Sequence, residues 1–145
     1  MPARPEGINA IHDLIESLWG QQPQLSDTDR MRFETAVIEV ATNIIEHATE
    51  GLPKPNKVTI ELTLIADPDR ITARFRDDGS EAEVDLSDPQ MPDATAEVGR
   101  GIGLARALVD DMTYRRSAST NIWTVTCLRT DPKRVAPKEP QQGQG

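Results

Sequence analysis

Apolar residues recur at intervals of three and four in the first third of the chain, which predicts two amphipathic helices. The first is expected from Ile8 to about Gly20. The second is expected to begin at Ser26, because a hydroxyl three residues before an acid, here Asp29, is typical of an N-cap with a variant of the capping box. Its apolar stripe continues to about Ala48, where a segment rich in proline and glycine ends the helix.

After the second helix the hydrophobic period changes to two, which predicts strands. Residues 58 to 66 alternate between apolar and polar side chains, and residues 71 to 75 alternate again after a turn at residues 67 to 69. The two strands are expected to form an antiparallel hairpin, and the second strand ends at Asp77. Because its alternate positions are threonine and arginine, we expect the outer face of the sheet to be partly exposed.

The middle of the chain loses this regularity. Residues 78 to 98 contain glycine, prolines and several acids without a sustained period, which predicts a long loop of the kind that is commonly functional. Three alternating glycines then precede a third helix of about ten residues, whose apolar positions extend from Leu104 to Met112.

The last elements complete a fold prediction. Two strands are expected near residues 112 to 116 and 122 to 128, and residues 131 to 145 have the composition of a disordered tail. Residues 1 to 7, with two prolines and a glycine, are expected to be loose, which leaves one domain over residues 8 to 130. The element order predicts an α+β, two-layer sandwich, with helices on one face of a mixed but mainly antiparallel sheet.

Charge and cysteine content narrow the class of protein. The 145 residues include 16 Lys+Arg and 24 Asp+Glu, a net charge of −8, so direct binding to nucleic acid is not expected. No stretch approaches the ~18 apolar residues of a membrane span, so we expect neither membrane insertion nor secretion. The single cysteine, Cys127, cannot form an internal disulfide, and a cytoplasmic location is expected.

Several polar side chains of the second predicted helix share one face. Glu39 and Asn43 are four residues apart, Glu46 lies near the same azimuth, and His47 lies slightly further round. Amide and carboxylate oxygens in this arrangement could bind Mg²⁺, which prefers oxygen ligands and is often completed by substrate phosphates. The alternative is a solvated polar face, which any surface helix shows.

A second motif, Asp77-Asp78-Gly79, closes the predicted hairpin. A carboxylate fixed at the end of a strand can accept a hydrogen bond from an exocyclic amine such as that of adenine, and Gly79 would allow close approach of the backbone. The same dipeptide also makes ordinary turns, so both interpretations stand for the motif alone.

A third motif is the glycine-rich sequence Gly99-Arg100-Gly101-Ile102-Gly103-Leu104. Alternating glycines before a helix expose backbone N–H groups at the positive end of the helix dipole, an arrangement that suits phosphates. Arg100 could contact a phosphate or simply be solvated, and a flexible hinge is the alternative for the glycines.

Together the three motifs resemble those of a known family. Residues 39 to 48, EVATNIIEHA, look like the N box of the GHKL, or Bergerat-fold, ATPases, residues 77 to 79 like the G1 box, and residues 99 to 104 like the G2 box. The order and spacing agree, and within this superfamily the short chain and the phrase GRGIGLARALVDDMTYRR are most similar to the bacterial anti-sigma-factor serine-protein kinases. Three departures are the absence of a second glycine in the G1 box, the acidic composition of the long loop that follows it, and a first strand that is expected to be short or missing.

The resemblance implies ATP and Mg²⁺ as cofactors and a role for each matching residue. Glu39 would be the general base, Asn43 the Mg²⁺ ligand, and Asp77, with Gly79 beside it, the partner of adenine. Residues 80 to 98 would form a lid over the nucleotide. The remaining nucleotide-site residues implied by the boxes are His47, Gly99, Arg100, Gly101, Ile102, Gly103 and Leu104.

The resemblance also implies partners. The phosphoacceptor would be a serine or threonine of a STAS-type anti-sigma antagonist, the protein would also sequester a sigma factor, and it would form a homodimer. Two alternatives remain: an ATP-binding module that sequesters proteins without catalysis, and the detached ATPase half of a histidine kinase. The second would need a phosphoacceptor histidine, for which only His12 is available.

Overall fold

The structure is a computed structural model in which residues 1 to 47, 58 to 82 and 100 to 130 are described. These residues form three helices and four strands, and none of the three helices is long and apolar enough to cross a membrane. In chain order the elements are α1 (Gly7–Gln21), α2 (Asp27–His47), β1 (Ile60–Ala66), β2 (Arg70–Asp77), α3 (Arg100–Leu108), β3 (Asp111–Ser117) and β4 (Thr120–Leu128).

The four described strands form one sheet in the order β1-β2-β4-β3. β1 and β2 make the predicted hairpin, and Phe75 in the centre of β2 lies opposite Leu62 of β1 and Trp123 of β4. β3 and β4 form a second hairpin. Helices together with this sheet confirm the predicted α+β class, although every pair of described strands is antiparallel and no parallel pair of the expected mixed sheet occurs among them.

The helices cover one face of this sheet, and the alternation along β2 shows which face. Ala73 and Phe75 are buried, whereas Arg74 and Arg76 are exposed on the opposite face, as the sequence pattern predicted. α2 packs against β2 and β4 and also contacts α1 and α3, so it is the central helix of the second layer. The largest side chains of the core between the layers are Phe33, Phe75 and Trp123.

The beginning of the chain is ordered by backbone pairing, which corrects the prediction of a loose segment. The N–H of Ala3 donates to the carbonyl of Val58 at 3.0 Å, and the N–H of Ile60 donates to the carbonyl of Met1 at 2.7 Å. Pro2 forms an isolated antiparallel bridge at this point, and Ala3 is buried. Composition could not reveal these bonds because their partners lie more than fifty residues away in the sequence.

The start of α2 confirms one half of the predicted capping box and corrects the other. The N–H of Asp29 donates to Oγ of Ser26 at 3.1 Å, as an N-cap requires. The fully buried Asp29 carboxylate does not return this bond; it accepts hydrogen bonds from the N–H and hydroxyl of Thr130 and from Arg32. The acid therefore ties the end of β4 to the start of α2.

α3 begins earlier and ends earlier than predicted. Gly101 and Gly103 lie inside the helix, which begins at Arg100 and ends at Leu108, and Met112 belongs to β3. Packing on α2 stabilises this helix despite the low helical propensity of glycine. The helix stops at Leu108 because backbone pairing with β4 begins two residues later.

Some predictions lie outside the described residues. These are the lid over residues 83 to 98, the loop glycine at position 99, the end of α2 at Ala48 and the tail over residues 131 to 145. For Arg100 only the backbone conformation is described.

Candidate functional site

α2 carries the first group of predicted site residues close to one another. Glu39, Asn43 and His47 are each half-buried and follow one another at intervals of four residues along one side of the helix. Within the described part of the chain, neither the Glu39 carboxylate nor the Asn43 amide makes a hydrogen bond, whereas Nε2 of His47 lies 3.8 Å from Oε1 of Glu46. Glu39 and Asn43 are therefore available to a ligand.

Asp77 closes β2 with its side chain turned into the protein. It is 3% exposed, and its Oδ1 accepts hydrogen bonds from the N–H of Gly79 at 2.9 Å and from Nδ2 of Asn121 at 2.8 Å. Among the described residues no group donates to Oδ2. The neighbouring Asp78 is exposed, and its Oδ1 accepts from the N–H of Thr59, so it stabilises the hairpin end.

One pocket joins this carboxylate to α2. Asn43 and His47 of the helix, Asp77 of β2 and Trp123 of β4 all contribute to its wall. The remaining lining residues are Ile44, Ser80, Ala82 and Asn121. The fold thus brings residues of the first two motifs, more than thirty positions apart in the sequence, to the wall of one small cavity.

The third motif, the glycine-rich sequence at the start of α3, packs against Glu39. α3 packs along α2 so closely that a Cβ placed on Gly101 would overlap Oε1 of Glu39. Gly101 is therefore glycine because its Cα lies against a carboxylate, and that carboxylate lies beside the first turn of α3, where backbone N–H groups are exposed.

The other described residues of the glycine motif separate into two groups. The side chain of Ile102 lies in the hydrophobic core, and Leu104 is 39% exposed. The Ile102 side chain therefore anchors α3, and only its backbone could face a ligand. Gly103 is half-buried at the end of the first turn of α3.

Asn121 is a site residue that our sequence reasoning missed. It is 2% exposed, lies opposite Asp77 in the sheet and lines the same pocket. The inward positions of β4 are otherwise occupied by Trp123, Val125 and Cys127, so an asparagine at this position is a polar residue in a buried stripe. This polar residue in an otherwise apolar stripe is the sequence signal that could have identified Asn121 as a site residue.

Burial sets the electrostatics of Asp77. Removal from water raises the pKa of its carboxyl, and the hydrogen bonds from Asn121 and Gly79 offset part of that rise. Because the folded-state pKa is the higher one, the carboxyl stabilises the fold below its unfolded pKa and loses this contribution as the pH rises through the folded pKa. The ionised form of the buried Asp77 carboxyl therefore costs stability.

We expect Asp77→Asn to unfold at a higher temperature than the wild-type protein at pH 7, because an amide oxygen can accept the same two hydrogen bonds without a buried charge. The difference should vanish at about pH 3, below the ordinary pKa of an aspartate, where the carboxyl is neutral in both states. Thermal unfolding at both pH values measures this, with the exposed Asp13→Asn as control. A variant less stable than wild type at pH 7 would contradict the expectation.

A second expected result concerns Gly101. Gly101→Ala should fold, because helical propensity favours alanine by about 1 kcal/mol and the clashing atom is the end of a flexible side chain. The sequence resemblance implies that this site turns over ATP, and on that expectation the displaced Glu39 carboxylate should lower ATP turnover about tenfold, which corresponds to about 1.4 kcal/mol. Bulkier Gly101→Val should also obstruct the phosphate end of the site and weaken ATP binding.

The control for this pair is Gly20→Ala in α1, where an added Cβ meets no atom within 4 Å. Thermal unfolding and ATP turnover are measured for all three variants. Unchanged turnover in Gly101→Ala, or normal ATP affinity in Gly101→Val, would show that this close approach does not shape the site.

Comparisons with known proteins identify the family of the chain. The sequence pattern of the histidine kinase-like ATPase domain matches residues 1–127, and the chain belongs to that family. No curated protein matches the chain. Among solved structures, it is similar to the histidine kinase domain from Erythrobacter litoralis EL346 blue-light activated histidine kinase, with a TM-score of 0.55 and 19% identity.

That similarity covers 77% of this chain and 50% of the histidine kinase domain, so the chain spans half the length of its structural relative. At this identity the likeness shows the fold alone, which is shared with that histidine kinase domain. Family membership supports ATP binding and a kinase-like ATPase domain.

Proposed function

We propose that this protein is an ATP-dependent serine/threonine kinase of the anti-sigma-factor type, which phosphorylates a STAS-type anti-sigma antagonist and sequesters a sigma factor. The observation that carries the catalytic part is the convergence of the three motifs. Asn43 and Asp77 line one pocket, and Gly101 of the glycine motif lies against Glu39, one helical turn from Asn43.

Glu39 is the proposed general base. Phosphoryl transfer depends mostly on positioning and charge neutralisation, and a carboxylate near the phosphates can accept the proton of an attacking hydroxyl. Glu39 suits this role because it is half-buried, has no hydrogen-bond partner among the described residues and lies beside the first turn of α3. A module that only bound ATP would not need a carboxylate there.

Asn43 is the proposed Mg²⁺ ligand. Its amide is half-buried and makes no hydrogen bond within the described chain, so its oxygen fits a hard cation. The described residues contain no cluster of three or more His, Cys, Asp or Glu that could hold a metal, so phosphate oxygens and water would supply most of the remaining ligands. When bound, the ion would neutralise phosphate charge.

The ATP molecule would lie between Asp77 and α3. Asp77 would accept a hydrogen bond from the exocyclic amine of adenine through Oδ2, with Gly79 beside it and Trp123 as part of the apolar wall. The first turn of α3 would face the phosphates. In the same proposal, Gly99, Arg100 and Gly103 would line the phosphates, and His47 would also contact the nucleotide.

The proposed partners rest on the resemblance of residues 99 to 116, GRGIGLARALVDDMTYRR, to the anti-sigma-factor kinases. We propose that the antagonist offers a serine or threonine hydroxyl to Glu39 and that the working unit is a homodimer. Sequestration of the sigma factor would alternate with binding of the antagonist, according to the bound nucleotide and the phosphorylation of the antagonist.

The test is transfer of label from γ-labelled ATP, with Mg²⁺, to proteins in an extract of the source cells. Labelled phosphoserine or phosphothreonine in a small protein, absent when Glu39→Gln replaces the wild-type enzyme, would support the kinase and identify its substrate. Binding of ATP without any transfer would instead favour the module that sequesters proteins without catalysis. Label on His12 of the protein itself would favour a histidine kinase.

A further inference from the structure

A buried amide network surrounds Asp77. Nδ2 of Asn121 donates to Oδ1 of Asp77 at 2.8 Å and to the carbonyl of Ser80 at 2.8 Å, with a longer contact of 3.3 Å to the carbonyl of Gly79. All three acceptors lie on one side of the amide. One buried side chain therefore contacts both the end of β2 and the segment that follows it.

The opposite side of the amide fixes its orientation. Oδ1 of Asn121 accepts from the hydroxyl of Tyr114 at 2.6 Å and from Nη1 of Arg116 at 2.9 Å. A guanidinium can only donate, so turning the amide over would place NH₂ against a donor and its oxygen against the Asp77 carboxylate. The network permits one orientation of Asn121.

The same network extends along the wall of the pocket. The Tyr114 hydroxyl accepts from the N–H of Ala82 at 2.9 Å, and Nη1 of Arg116 donates to the carbonyl of Gly79 at 3.1 Å. The Tyr114 ring packs on Trp123 with centroids 4.7 Å apart, so its hydroxyl is held in place by packing. Residues 79 to 82 are therefore positioned by the side chains of β3 and β4.

We infer that Asn121 is the positioning residue that makes Asp77 selective for a 6-amino purine. This inference rests on the proposed contact between Asp77 and adenine. Oδ1 of Asp77 already accepts from two donors, so Oδ2 is the acceptor that Asp77 offers to a ligand in the described structure. The carboxylate cannot rotate without breaking both bonds to Oδ1, and the direction of Oδ2 is therefore fixed. A base with a carbonyl in place of the amino group would set two acceptors against each other.

The test compares the affinity of ATP with that of ITP, whose base carries a carbonyl where adenine carries the amino group. Wild-type protein should prefer ATP by about tenfold or more, because one hydrogen bond to a charged group contributes about 1.5–3 kcal/mol. Asn121→Ala should weaken ATP binding about tenfold while changing ITP binding little. The ratio of the two affinities should therefore approach one.

A pH profile separates positioning from a merely structural role. Asn121→Ala removes a donor that lowers the pKa of Asp77, so loss of ATP affinity on acidification should begin at higher pH than in the wild-type protein. Tyr114→Phe keeps the ring on Trp123 and removes one of the two donors to Oδ1 of Asn121, together with the acceptor of the Ala82 N–H. It leaves the bond from Asn121 to Asp77 in place, so it should shift the ATP to ITP ratio in the same direction by a smaller factor. The exposed Asn9→Ala is the matched control.

If Asn121→Ala does not fold, Tyr114→Phe decides the question. Equal weakening of ATP and ITP, or an unchanged ratio in a folded variant, would overturn the inference. These affinity measurements do not depend on phosphate transfer. Wild-type protein that binds ATP selectively but phosphorylates nothing in the label-transfer test would contradict the proposed kinase and leave the role of Asn121 supported.

Discussion

Glu39→Gln is expected to lower phosphate transfer to the protein substrate by about 10²-fold or more, the contribution typical of a general base. Glutamine keeps the size and polarity of the side chain but cannot take up the proton of the attacking hydroxyl. ATP affinity should change little, because the Glu39 carboxylate makes no hydrogen bond within the described protein that the substitution would break. Single-turnover transfer with Mg²⁺ and γ-labelled ATP measures the effect, and equilibrium titration measures binding.

Glu34→Gln is the matched control for this experiment. Glu34 is also a half-buried acid of α2, but it faces α1, where it contacts His12 at 3.1 Å and Nε1 of Trp19 at 3.4 Å. Its substitution should leave transfer near the wild-type level. Transfer by Glu39→Gln within a few-fold of wild type would remove Glu39 from the role of general base, whatever the effect on binding.

Asn43→Ala is expected to abolish the part of nucleotide affinity that depends on Mg²⁺. Losing even an outer-shell partner of a bound metal typically costs about 10- to 100-fold in metal affinity, and a direct ligand should cost at least as much. The half-buried Asn43 amide makes no hydrogen bond within the described residues, so little stability should be lost with it. The effect on ATP should therefore not come from unfolding.

The measurement is an ATP titration with Mg²⁺ and another with a chelator in its place. Wild-type protein should bind ATP more tightly with Mg²⁺, whereas Asn43→Ala should give nearly the same weak affinity in both. Asn9→Ala, an exposed amide on α1, controls for the substitution itself. If Asn43→Ala kept the wild-type response to Mg²⁺, another residue would have to be the ligand.

Much of the fold could be predicted because its signals are local. The α1 and α2 stripes and the alternation of the first hairpin each reflect one element packing on one core, so the periodicity is present in consecutive residues. The role of Ser26 as the N-cap of α2 could be predicted for the same reason, because an N-cap hydrogen bond joins residues only three positions apart.

The predictions that were wrong concern groups whose partners are distant. Composition suggested a loose beginning, yet Met1 pairs with Ile60, the first residue of β1, and Ala3 pairs with Val58 just before it. The acid of the presumed capping box, Asp29, binds Thr130 about a hundred positions away. The start of α3 was placed too late because glycine disfavours a helix by itself, and packing on α2 outweighs that preference.

The sequence by itself determined the fold class and the three motifs, because hydrophobic period and motif spacing are properties of neighbouring residues. Only the tertiary structure decided that Gly101 lies against Glu39 and that Asp77 shares a pocket with Asn43. It alone revealed Asn121, whose significance depends on hydrogen bonds between strands. Burial and hydrogen bonding between distant residues arise when the sheet and helices pack together, and spacing along the chain does not encode them.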